Sequence, residues 1–160
     1  MKTKSLEEQV VALLTEKGLS ITTVESCTAG LIGATLVNVP GVSKVFSEGY
    51  IAYSNSAKIK LVNVKKETLE KHGAVSGEVA LEMVKGAATK SKADVAISAT
   101  GIAGPDGGTL DKPVGLLYIG LSIHGNVTIH EFYLQGNREE NRMGTVEEGF
   151  KLLIRKLKQI

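Results

Sequence analysis

Thr22-Thr23-Val24-Glu25-Ser26-Cys27-Thr28-Ala29-Gly30 is the stretch from which this chain is read. Its start reads as the end of a buried strand and its middle as a cluster of small polar groups. Leu31, Ile32 and Leu36 then carry a helical apolar pattern. A strand-to-helix turn of this kind brings a hydroxyl, a thiol and unpaired backbone N–H groups to one spot. That is what a nucleophile or an anion site requires. Ser26 or Thr28 can equally serve as an ordinary helix cap, and the turn alone leaves both readings open.

The flanking segments supply the architecture. Ser5-Leu6-Glu7-Glu8 has capping-box spacing, Leu6, Val10, Leu13 and Leu14 form a stripe, and Gly18 stops the helix. Residues 20–25 make a short strand, and the helix after the turn ends before Pro40-Gly41. Residues 45–53 read as a strand, with Tyr53-Ser54-Asn55-Ser56-Ala57-Lys58 coming off its end. Residues 68–72 form a short helix stopped by Gly73. Ser76 caps an amphipathic helix that points Val79, Ala80, Met83, Val84 and Ala87 to one side.

Residues 93–99 are nearly all small or apolar, as in a strand covered on both faces, and residues 114–123 repeat the pattern. Gly125-Asn126 turns the chain into a further strand over residues 127–134. A last helix starts near Asn137 and directs Met143, Val146, Phe150, Leu153 and Leu157 inward, with Gly144 and Gly149 each weakening it by about 1 kcal/mol. Helices alternate with strands in the first half, and a hairpin occupies the second. A mixed parallel/antiparallel sheet between two helix layers satisfies both, giving a single domain over residues 1–160.

Composition narrows the function classes. The 160 residues are 42% hydrophobic and 22% charged, which is globular rather than disordered or fibrous. A formal charge of +2, with no basic block interleaved with aromatics, argues against nucleic acid as a partner. No apolar run approaches a membrane span, and Glu7 and Glu8 interrupt any signal core after Met1-Lys2-Thr3-Lys4. The single cysteine, Cys27, excludes an internal disulfide and any cysteine-based zinc cluster, and fits a reducing cytoplasm. Glycine is abundant, at 18 residues against an average near ~7%.

Those glycines concentrate in Thr100-Gly101-Ile102-Ala103-Gly104-Pro105-Asp106-Gly107-Gly108, which follows a strand. The loop lacks the Gly-Lys-Ser/Thr ending of a phosphate-binding P-loop and the spacing and helix of a dinucleotide fingerprint. It remains a compact turn with several exposed N–H groups, suited to an anion nest or to a tight strand connection. Asp106, between Pro105 and Gly107, reads most simply as a turn former, and Asp94 is not spaced with it as an acid/base pair.

A serine near neutral pH needs a base. None of His72, His124 and His130 lies in a motif with Ser26, and none matches a zinc pattern. Lys58 can act if burial draws its pKa from about 10.4 toward 7–8, a shift worth roughly 4 kcal/mol; from position alone it reads as a solvated surface lysine. Arg138 and Arg142 stand one turn apart at a helix start. They suit either a phosphate or nearby carboxylates such as Glu139 and Glu140.

Taken in order, these segments resemble the CinA C-terminal domain family, whose enzymatic members (PncC) are nicotinamide mononucleotide deamidases. The resemblance rests on residues 23–30, 53–58 and 72–76, on the glycine segment 100–108 and on Lys112-Pro113-Val114-Gly115, and it covers nearly the whole chain. It implies a three-layer α/β/α sandwich that hydrolyses the carboxamide of nicotinamide mononucleotide to nicotinate mononucleotide and ammonia. By that likeness Ser26 is the nucleophile and Lys58 with Tyr53 handle protons. Cys27, Thr28, Thr100, Gly101 and Gly104 line the substrate, and Arg142 or Arg138 meets its charge.

The likeness further implies a homo-oligomer with no metal or cofactor. A negative oxygen would be held by N–H groups at the helix start beyond Ser26. Cys27 stays a rival nucleophile, and a nucleotide-binding or regulatory module without chemistry stays a rival function, although both Ser26 and Lys58 are present. Three positions depart from the family pattern: Ala29 stands where a second glycine is common, Asn137 where an aspartate is frequent, and Asn141 where an apolar residue is usual. The molybdopterin-binding-like domain often fused upstream falls outside these 160 residues, so its pyrophosphatase activity is not expected.

Overall fold

A computed structural model describes residues 3–160; Met1 and Lys2, the first residues of the segment read as lacking a signal core, lie outside the described residues. Helix α1 (Leu6–Lys17) is closed at both ends as its sequence requires. Ser5 and Glu8 form the capping box, and Gly18 takes the left-handed conformation after the last turn. Strand β1 (Ile21–Glu25) is buried along its whole length. It is followed by the short helix α2 (Leu31–Leu36), a 3-10 turn at Val42–Lys44 and strand β2 (Phe46–Ile51).

Helices α3 (Asn55–Val62), α4 (Lys66–His72) and α5 (Gly77–Ser91) lead to β3 (Val95–Gly101). The chain closes with β4 (Leu116–Ile123), β5 (Asn126–Tyr133) and α6 (Arg138–Leu157). Helix α3 is the element that the sequence pattern does not announce. Its polar first turn depends on Ser54, whose Oγ accepts from the Ala57 N–H at 3.0 Å. The hairpin turn is His124-Gly125, both at positive φ, which sets Ile123 opposite Asn126 one residue earlier than the glycine pair suggests.

The five strands order as β2-β1-β3-β4-β5. β1 runs parallel to β2 and β3, and the β3–β4 and β4–β5 pairs are antiparallel. Alternation along the strands divides the core in two. Ile21, Val95, Ile97, Leu117 and Ile119 face α1, α2 and α6, whereas Val24 faces α3, α4 and α5. The architecture is therefore the expected α/β/α sandwich with a mixed sheet.

Met143 departs from the inward stripe. It is 59% exposed and borders an open groove among α1, α2 and α6, lined also by Leu6, Leu31 and Thr35. Gly149 has a packing reason that outweighs its helix cost: a Cβ there would stand 2.9 Å from Ile97 Cδ1 under the sheet.

The connections set where a site can form. The crossover leaving β1 passes through α2 on one face, and the chain enters β3 from α5 on the other. The carboxyl ends of β1 and β3 thus flank a switch point, where open α/β sheets leave a crevice. Helix α3 crosses α5 closely at Gly86, where an added Cβ would lie 1.8 Å from the Val62 carbonyl oxygen. Gly86→Ala, although favourable by helix propensity, should destabilise the protein by about 1–3 kcal/mol through overpacking. At about 2–4 °C per kcal/mol in a chain of this size, calorimetry would register a lower thermal midpoint, and an unchanged one would refute the close crossing.

Candidate active site

Ser26 is the first residue past β1, tied to β3 by its N–H donating to the Ala99 carbonyl at 3.0 Å. What caps α2 is neither Ser26 nor Thr28. The buried Glu25 side chain reaches forward, and its two oxygens accept from the N–H groups of Ile32 at 2.8 Å and Gly33 at 3.0 Å. A carboxylate at a helix start satisfies two orphan donors and favours the dipole. It also occupies that anion site, so the expectation that α2's first turn holds a negative oxygen needs correction. The free donors lie earlier: among the described residues, the N–H groups of Cys27, Thr28 and Gly30 donate to no other residue.

The turn is held under strain. Ala29 sits at φ 47° and Gly30 at φ 97°. The alanine is in the left-handed region, where an L side chain costs about 1–2 kcal/mol. A glycine there would adopt this geometry freely, so Ala29 stores strain beside Ser26.

Lys58 comes from α3, on the opposite helix layer. It is only 1% exposed. Its Nζ lies 2.9 Å from Ser26 Oγ and 2.9 Å from the Tyr53 main-chain oxygen. Burial lowers its pKa from the ordinary lysine value of 10.5, opposed only by the charge of an ionised Cys27. No carboxylate pairs with it among the described residues. Residue 58 is thus a buried amine beside a hydroxyl, not a solvated surface lysine.

Tyr53 reaches this pair through its backbone: its carbonyl accepts from Lys58 and, at 3.4 Å, from Ser26 Oγ. The phenol, on a side chain 57% exposed, meets Arg138 instead, accepting from Nη2 at 3.4 Å. Arg138 also donates to the Gly104 carbonyl at 2.7 Å and so stands over the glycine loop.

Ser26, Lys58, Tyr53, Thr100, Gly104 and Arg138 line one open cleft of about 460 Å³, which Cys27, Gly101 and Asp106 also border. Thr100 is nearly inaccessible, and its hydroxyl donates to the Ala74 carbonyl at 2.8 Å, tying β3 to the segment before α5.

Two of the substrate-contact expectations fall elsewhere. Thr28 is fully buried outside the cleft wall, its hydroxyl without a partner. Arg142 is also outside that wall: Nε donates to the Cys27 carbonyl and Nη2 to the Thr28 carbonyl, each at 3.0 Å. Its place on the first turns of α6 points it at the turn after Ser26 rather than at the opening. Asn141, unusual for the family pattern, has a polar task, accepting from the Gly136 N–H and donating to the Ala103 and Gly136 carbonyls.

Cys27 is a poor nucleophile here. Burial pushes its thiol up to about 11, with Glu25 adding to the rise against its own N–H, Arg142 and Lys58. At neutral pH it is a protonated thiol, not a thiolate. Sequence reasoning missed Glu25 and the Tyr53 carbonyl. Only the acidic residue directly before Ser26 could have signalled the first, and a main-chain atom leaves no signal.

Among the described residues, no group of three or more His, Cys, Asp or Glu side chains is arranged to hold a metal ion, and no helix is long and apolar enough to cross a membrane.

Comparison with known proteins agrees with this architecture. The model of the CinA C-terminal domain matches residues 3–157. A CinA-like protein of Dictyoglomus turgidum is 56% identical over 153 residues, which cover 96% of this chain but 37% of that protein. The chain therefore spans under two fifths of that relative. Among solved structures, a competence-damaged protein (CinA) superfamily protein from Klebsiella pneumoniae superposes with a TM-score of 0.94 at 31% identity, covering 97% of each chain. The competence/damage inducible protein CihA from Agrobacterium tumefaciens superposes with a TM-score of 0.90 at 40% identity, covering 99% of each. With the family model matched from end to end and its relatives sharing both sequence and fold, this chain belongs to the CinA C-terminal domain family.

Proposed function

We propose that this chain is an amidohydrolase that converts nicotinamide mononucleotide and water to nicotinate mononucleotide and ammonia. The observation that carries the reading is the Lys58 amine, buried without a carboxylate partner, 2.9 Å from the Ser26 hydroxyl oxygen. A structural lysine in such a place would stand against its own desolvation. A general base benefits from it, because the neutral amine is the working form. The cleft, at about 460 Å³, lies within the range of small-molecule sites, about 300–1,000 Å³.

In this reading neutral Lys58 donates one N–H to the Tyr53 carbonyl and turns its lone pair to the Ser26 O–H. Ser26 Oγ attacks the carboxamide carbon while its proton passes to Lys58 Nζ. The former carbonyl oxygen becomes negative and takes N–H donors from the turn between Ser26 and α2; one such donor is worth about 3–4 kcal/mol. The Lys58 ammonium protonates the departing nitrogen, ammonia leaves, and an ester to Ser26 remains. Water, deprotonated by the same amine, attacks that ester and frees the carboxylate and the serine.

Arg138, at the mouth beside the Tyr53 phenol, is the better placed of the two arginines for the 5′-phosphate. Gly101, Gly104 and Thr100 form the wall along which the nucleotide lies. Contacts of this kind supply binding energy away from the reacting bond.

Ammonia release from nicotinamide mononucleotide is the direct test; tight binding without ammonia would mark a nucleotide-binding or regulatory module instead. Ser26→Ala should lower turnover by about 10³-fold or more, whereas Cys27→Ala should stay within a few-fold of the parent. The reverse ranking would make the thiol the nucleophile.

The pH profile has a definite sign. Protonated Lys58 cannot accept the serine proton, so kcat/KM should climb as pH rises through the lowered Lys58 pKa and level off below the ordinary value of 10.5. A limb centred at or above that value would contradict the buried-base assignment. Lys58→Met should abolish turnover yet raise the thermal midpoint by about 2–4 °C, the equivalent of about 1 kcal/mol, because it removes a desolvated amine from a chain of this size. A lowered midpoint would identify a structural lysine.

A further inference from the structure

We infer that Arg142 is a positioning residue that sets the backbone N–H of Cys27 as a donor for the oxygen of the acyl carbon that Ser26 attacks, and that it is not a ligand for substrate phosphate. The inference rests on the amidohydrolase reading for its substrate, but its geometry stands apart from it. Arg142 projects from α6, 116 positions beyond Ser26, and its two hydrogen bonds go to successive carbonyls, Cys27 and Thr28, each at 3.0 Å. In a trans peptide the N–H points opposite to the C=O of the same unit. The Thr28 carbonyl shares its peptide unit with the Ala29 N–H, which donates to the Ser26 carbonyl, and that carbonyl shares its unit with the Cys27 N–H, so the guanidinium aligns the Cys27 donor through two linked peptides.

The remaining bonds of the turn assign themselves. The Ala29 N–H donates to the Ser26 carbonyl at 3.1 Å, and the Leu31 N–H to the Thr28 carbonyl at 3.0 Å. Glu25 takes the N–H groups of Ile32 and Gly33. The two residues directly after Ser26 are left with donors that have no partner in another residue among those described. A charged donor on a carbonyl also polarises the peptide, making its N–H a stronger donor through cooperative hydrogen bonding.

Arg142 is suited to this task by its fixed fork, which spans two acceptors as a lysine cannot. It is also committed: both bonds hold it on the turn, away from the cleft wall where Arg138 stands. The strain at Ala29 gives the tether something to hold, since a peptide beside a left-handed alanine can relax once released.

The test compares Arg142→Gln, Arg142→Lys and Arg138→Gln with the parent chain. Three quantities are measured: steady-state ammonia release, the Kd of nicotinate mononucleotide by calorimetry, and the rate at which a fluorophosphonate labels Ser26. Phosphonylation also builds negative charge on an oxygen next to Ser26, so it reports the same donors. Arg142→Gln should lower kcat by about 10²-fold, the size of effect seen when one oxyanion donor is lost. KM and Kd should stay within about threefold, and labelling should slow in step with kcat. Arg138→Gln should show the opposite split, a higher KM with labelling preserved.

A tenfold rise in KM and Kd for Arg142→Gln with labelling unchanged would overturn the inference and make Arg142 a ligand contact. If Arg142→Gln does not fold, Arg142→Lys decides: charge without the fork should still cost at least tenfold in kcat at a near-parental thermal midpoint, and full activity would overturn the assignment. A parent chain that releases no ammonia defeats the amidohydrolase reading alone, and the dependence of Ser26 labelling on Arg142 still tests this one.

Discussion

An amine held out of water beside a hydroxyl, with no carboxylate among the described residues to neutralise it, is the constraint around which the site is arranged. Desolvation disfavours the ammonium, so Lys58 is driven toward the neutral form that can accept a proton. Keeping it there requires packing strong enough to hold an unfavourable group in place. Helix α3 provides that packing by lying against α5 at Gly86, close enough that no side chain fits between the helix backbones. The Tyr53 carbonyl then takes one hydrogen of the amine and leaves Ser26 as the other neighbour.

The turn after Ser26 is built from the opposite side of the sheet by three restraints. Glu25 anchors α2, Ala29 and Gly30 reverse the backbone through the left-handed region, and Arg142 pins the two carbonyls after Ser26. The first two are local to residues 25–30, and the third reaches the turn from α6. The carboxylate removes the helix start as an anion site, and in doing so shifts the available donors to the turn itself. The side chains that hold the turn are paired with its backbone, while the N–H groups of Cys27, Thr28 and Gly30 have no partner in another residue among those described. Thr28 is the exception, with a buried hydroxyl that has no partner.

Much of the architecture was legible in the residues because the signals are local. The box of Ser5 and Glu8, the stop at Gly18, the cap at Ser76 and the apolar run into β3 each act within a few positions, so sequence order suffices to read them. Helix α3 was not legible: its first turn is polar, and only a serine cap and burial against α5 hold it. Met143 failed for a related reason, since its exposure is set by how α1, α2 and α6 come together around it and not by its own spacing.

The sequence by itself determined the layered α/β plan and the placement of Ser26 at a strand end. Those follow from periodicity, caps and short motifs. Tertiary structure decided which groups meet. It placed the lysine's amine on Ser26, gave Tyr53 a role through its carbonyl, set Arg138 at the mouth and drew Arg142 inward. The physical reason is that burial and hydrogen-bond partnership are properties of surroundings contributed by distant segments: residues 26, 58 and 142 come together only when β1, α3 and α6 pack around one end of the sheet.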